Sequence, residues 1–85
     1  MDEETRNKLT DIQARYADML MAKANVVGVG IGLAKDNGEY TDEPAIVVMV
    51  EKKVPIEELA PEDIIPRSIE GVRVDVQETG VIEAF

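Results

Sequence analysis

Val26-Val27-Gly28-Val29-Gly30-Ile31-Gly32-Leu33-Ala34 is the stretch that decides the fold of this 85-residue chain. Its glycines invite comparison with nucleotide-binding loops. A dinucleotide fingerprint needs G-x-G-x-x-G at a strand-to-helix turn. Here the position three after Gly30 is Leu33, and no helical pattern follows. A phosphate loop ends in Gly-Lys-Ser/Thr, and that ending is absent too. The period of two means a strand, in which alternate residues share a face. Gly28, Gly30 and Gly32 then leave one face bare, while Val27, Val29, Ile31 and Leu33 line the other. Each strand glycine costs roughly 0.5–1 kcal/mol relative to alanine. Three together require compensation. Either the N-terminal helix or another backbone packs closely on the bare face, or a partner's backbone docks there.

Working outward, Ala45-Ile46-Val47-Val48-Met49-Val50-Glu51-Lys52 reads as a second strand, apolar on both faces and so interior to a sheet. Asn37-Gly38 is a tight-turn signal, so the two strands form an antiparallel hairpin that the intervening loop extends by a few pairs. Pro44 fits only at the entrance of the second strand. Residues 72–77 form a third strand, with Val72, Val74 and Val76 inward and charges outward. Gly80 breaks it, and residues 80–84 are expected to make a short last strand. Residues 53–70 are irregular, with Pro55, Pro61 and Pro66. Single helical turns are expected from Ile56 to Leu59 and from Pro61 to Ile65. Ile56, Leu59, Ile64, Ile65 and Ile69 are expected on the core.

Residues 3–24 carry the helical period, with Leu9, Ile12, Tyr16, Met19 and Leu20 on one side. Asp2 suits the N-cap, and Glu3 and Glu4 suit the positive end of the helix dipole. Glu4–Lys8 and Asp11–Arg15 have the favourable acid-first spacing. Asn25 can take the left-handed conformation that ends a helix. The fold class is α+β: one domain over 1–85, an N-terminal amphipathic helix packed on a small, mainly antiparallel sheet of three or four strands.

Composition removes several chemistries. Cysteine and histidine are both absent, so disulfides, thiolate metal sites and the commonest general base are excluded. Ser68 is the only serine and has no histidine to activate it. The net charge of −9 repels nucleic acid and anionic lipid surfaces. The acidic groups Asp36, Glu39, Asp42 and Glu43, and Glu57, Glu58, Glu62 and Asp63, miss the register of a calcium loop and read as solvated faces. No catalytic, metal or cofactor residue is expected, and no cofactor. The opening Met1-Asp2-Glu3-Glu4 is acidic, with no apolar stretch behind it. No signal peptide is therefore expected, and the cytoplasm is the default location.

A family resemblance attaches to Asn25-Val26-Val27-Gly28-Val29-Gly30-Ile31-Gly32, Pro44-Ala45-Ile46-Val47-Val48, Glu51-Lys52-Lys53-Val54-Pro55, Ile65-Pro66 and Gly71-Val72-Arg73-Val74-Asp75-Val76. These segments resemble the small module that precedes the catalytic domain in a family of bacterial trypsin-like serine proteases and their relatives. The resemblance implies a stand-alone version of that module and supplies no catalytic residue.

These readings point to a non-enzymatic interaction or self-assembly module whose partner is itself, as a homo-oligomer or larger assembly, or another protein. Nucleic acid and membrane are not expected partners. The candidate interface is Gly28, Gly30 and Gly32 together with the apolar tail residues Val81, Ile82 and Phe85. The alternatives are an accessory or regulatory module of a trypsin-like protease and, more remotely, an enzyme working with carboxylates alone.

Overall fold

The computed structural model describes residues 2–80. Helix α1 spans Glu3–Met21. Asp2 caps it by accepting the Thr5 backbone N–H at 2.7 Å. The chain leaves the helix sooner than the spacing predicts. Ala22 N–H makes the last helical bond, to Asp18 O at 3.1 Å. Asn25 then turns the backbone at φ 74°, a conformation asparagine tolerates.

The helix lies on one face of a four-stranded sheet of order β1-β2-β4-β3. The strands are β1 (Val26–Asp36), β2 (Glu39–Val50), β3 (Ser68–Ile69) and β4 (Val72–Glu78). Asn37 (φ 53°) and Gly38 (φ 81°) form the hairpin turn between β1 and β2. Two positive φ values match the twist that joins adjacent strands. Glu70 (φ 50°) and Gly71 (φ 80°) do the same between β3 and β4. The class is α+β as expected. The sheet is mixed, because β2 and β4 pair in parallel from Ala45↔Arg73 to Val50↔Glu78. A parallel pair needs a crossover, and residues 51–71 supply it. Within the crossover, single 3₁₀ turns form at Ile56–Glu58 and Pro61–Asp63. The short β3 was not foreseen. Apart from Gly80, the strand expected at 80–84 lies outside the described residues.

The core sits between α1 and the sheet. Leu9, Ile12 and Leu20 meet Ile46, Val48 and Val50 of β2, Val72 and Val74 of β4, and Ile69. Tyr16, Val26, Val29, Ile31, Ile65 and Val76 pack around them. Three expectations fail here, the first at Ile56, which is 58% exposed on its single 3₁₀ turn instead of lying on the core. Met19 is 44% exposed, because it stands at the margin of the stripe that buries Leu9, Ile12 and Leu20. Val27 is 37% exposed, because a register shift between Val26 and Gly28 puts Val26 into the core instead. Pro44 also lies inside β2 and not at its entrance. It is tolerated there because it faces Leu33 beside a second register shift and because β4 pairs only from Ala45 onward.

Ile46 is fully buried in the central strand. Ile46→Ala should cost about 2–5 kcal/mol, read as a lower urea midpoint at unchanged m-value. Met19→Ala, at an exposed position, should leave the midpoint within about 0.5 kcal/mol of the parent.

Candidate interaction surface

Both α1 and the crossover lie on one side of the sheet. Lys23 Nζ donates to Glu62 O at 2.7 Å, and Asp63 Oδ1 accepts the Ala24 N–H at 2.9 Å. Ile65 of the crossover joins the core beneath α1. The residues paired with Gly28, Gly30 and Gly32 are Met49, Val47 and Ala45. Their parity is opposite to that of the core residues Val48 and Ile46, so this row forms the other face.

What fills the bare glycine row is neither the helix nor another backbone. A Cβ on Gly28 would lie 2.8 Å from Met49 Cε, and one on Gly32 would lie 3.3 Å from Val47 Cγ2. Side chains of β2 thus lean sideways over β1. At Gly30 the nearest atom is Met49 Cε at 3.9 Å, an ordinary contact distance. The middle of the row has room for a side chain.

The β4 side of this face is polar, with Arg73, Asp75 and Gln77 standing beside Ala45, Val47 and Met49. Arg73, Asp75 and Gln77 alternate along β4 and all face away from α1. They reach across β2 to β1. Asp75 Oδ2 accepts the Lys35 N–H at 3.0 Å, and Arg73 binds Asp36 Oδ1 at 2.7 Å. Gln77 Nε2 donates to Asp75 Oδ2 at 3.0 Å. The path is open because Ala45 and Gly32, the pair that lies between, have almost no side chain. Ala45 and Ala34 are completely buried here.

β1 is an edge strand. Gln13 of α1 donates through Nε2 to Val29 O at 2.8 Å, which covers one edge carbonyl. Beyond it, a groove of about 460 Å³ runs along the edge, lined by Arg6, Thr10, Ile31, Gly32 and Leu33.

Two ion-pair clusters hold the outer parts together. Arg15 bonds Asp11 on its own helix and Glu70 in the β3–β4 turn, and Tyr16 donates its hydroxyl to Glu70 at 2.9 Å. The Arg15 bond, with help from Tyr16, holds the Glu70 carboxyl below its ordinary range. Glu70 in turn pushes the Tyr16 phenol up. Arg73 bonds Glu43 Oε1 at 2.7 Å as well as Asp36, and it holds the Asp36 carboxyl down. The acidic hairpin residues Asp36 and Glu43 thus serve Arg73. No group of three acidic side chains is arranged to hold a metal ion among the described residues. The glycines stand together on one face as spaced in the sequence. Val81, Ile82 and Phe85 lie outside the described residues. Val47, Met49 and the Arg73–Asp75–Gln77 row were missed as neighbours of the glycines. The alternation of β4 carried half the signal, but nothing in it said that β4 lies beside β2.

Fold and surface define a small helix-on-mixed-sheet domain whose charged groups are used in cross-bracing. The family model described as the NARROW LEAF 1 N-terminal domain matches residues 3–79, and the chain belongs to that family. This match replaces the expected likeness to the module of bacterial trypsin-like serine proteases. The segments that suggested it are strand and turn patterns, which many unrelated sheets share. No curated protein matches the chain.

The lowered carboxyls give a pH prediction. Glu70 and Asp36 stabilise the fold above their unfolded values, near 4, and that contribution fades as pH falls through the lower folded values. Urea titrations should show stability dropping between about pH 5 and pH 3. Arg73→Met should flatten the part of that acid limb that belongs to Asp36. High salt should shrink both parts, because the pairs are exposed.

Proposed function

We propose that the domain is a non-enzymatic protein-interaction module that assembles with copies of itself through the sheet face opposite α1. One observation carries this. Every described element outside the sheet lies on the other side, while Gly28, Gly30 and Met49, around the buried Val47, make an apolar, low-relief centre on this side. A one-sided antiparallel sheet normally presents polar side chains to water. Here that pattern holds only along β4, where Arg73, Asp75 and Gln77 stand beside Ala45, Val47 and Met49. Flat, glycine-rich strands let a second backbone approach closely, and small cores are often completed by association. A second copy would supply the missing layer by packing sheet on sheet about 10 Å apart.

Charge sets the conditions. Each chain carries −9, so repulsion opposes association and salt relieves it. Sedimentation velocity across the micromolar range should show oligomers that strengthen from low to physiological salt. Met49→Glu should stay folded by circular dichroism and run as a monomer. Gly30→Val has room in the monomer, with Met49 Cε 3.9 Å from its Cβ, and should also keep its fold while losing the oligomer. A parent protein that stays monomeric throughout, or a Gly30→Val variant that unfolds, would count against the proposal.

A further inference from the structure

The crossover roofs a cleft of about 310 Å³ at the far end of the sheet from the hairpin. Its wall is aliphatic: Val50, Val54, Leu59, Ile64, Ile65 and Val76 line it. The charges at its boundary are Lys52, Lys53, Arg67 and Asp63. Asp63 is occupied, accepting the Ala24 N–H at 2.9 Å. None of the three cations makes an ion pair among the described residues, where the ion pairs belong to Arg15 and Arg73. Three of the chain's nine basic residues thus gather on one apolar cleft in a protein whose overall charge is −9.

We propose that this cleft binds a medium-chain alkyl carboxylate, with the chain against Val50, Ile65 and Val76 and the carboxylate among Lys52, Lys53 and Arg67. The wall chemistry selects the body of the ligand, because no aromatic ring among the described residues lines the cleft to stack on a planar base. The volume selects its length, since it sits at the small end of ligand cavities, which start near ~300 Å³. The cations select the head. An arginine fork and two ammonium groups suit a carboxylate, and they offset locally the general repulsion of anions by the chain. The cleft lies on the α1 side of the sheet, so the inference stands apart from the assembly surface.

Octanoate titrated into the intact 85-residue chain, well below micelle formation, tests this by calorimetry and by amide shifts. Saturable one-to-one binding is expected, with shifts centred on Val50, Ile65 and Val76. Octanol should bind at least tenfold more weakly. The triple variant Lys52→Met, Lys53→Met, Arg67→Met keeps apolar stems and should weaken octanoate at least tenfold. A control at distant cations, Arg6→Met with Lys8→Met, should leave it unchanged. The absence of saturable binding would overturn the proposal. So would octanol binding as tightly as octanoate, or a triple variant indistinguishable from the control. Binding that emerges only after residues 81–85 are removed would also overturn it, since the cleft would then serve the chain's own segment.

Discussion

The structure depends on β2 being paired along both edges and packed into the core by one face. It pairs with β1 along one edge and with β4 along the other. One of its faces carries Ile46, Val48 and Val50 into the core, and the other keeps Ala45 and Val47 buried. A strand with both edges hydrogen-bonded and one face in the core cannot shift register, because one step would move every side chain to the wrong face. The other elements take their places from it. The hairpin brings β1 to one edge. The parallel partner on the other edge obliges the chain to travel back, and that return path is the crossover.

Size relationships across the strands then divide the second face into two halves. Ala45 and Gly32 are small enough for Arg73 and Asp75 to reach from β4 to β1 above them. At Gly28 and Gly30 the side chain of Met49 lies over β1 instead. Exposed ion pairs each contribute little. The Arg73 cluster joins three strands, though, and the Arg15 cluster ties α1 to the β3–β4 turn. Both clusters connect parts of the chain distant in sequence, which gives them geometric leverage beyond their individual strength.

The glycine row shows how far pattern reading extends. Spacing placed the three glycines on one face, and pairing agrees. The same reading put Val27 inward, where a register shift turned it out and Val26 in. A bulge changes the parity of every residue before it, and no residue preference in Val26-Val27-Gly28 announces one. The expected helix cover over the glycines also failed. Helix and bare face were both legible, but a helix can cross either side of a sheet. Here the larger apolar face, with Val29, Ile31 and Ile46, drew it.

By itself the sequence determined the elements that local chemistry controls. These are the Asp2 cap, the Asn25 exit, the Asn37-Gly38 turn, the valine alternation of β4 and the acidic, histidine-free surface. Each depends on residues a few positions apart, so the pattern and its cause share one stretch of chain. Tertiary structure alone decided that β4 runs parallel to β2, that α1 and the crossover share a face, and that Lys52, Lys53 and Arg67 meet around one aliphatic cleft. Those outcomes follow from which surfaces bury the most apolar area together. That sum runs over residues far apart in the chain, and no local stretch contains it.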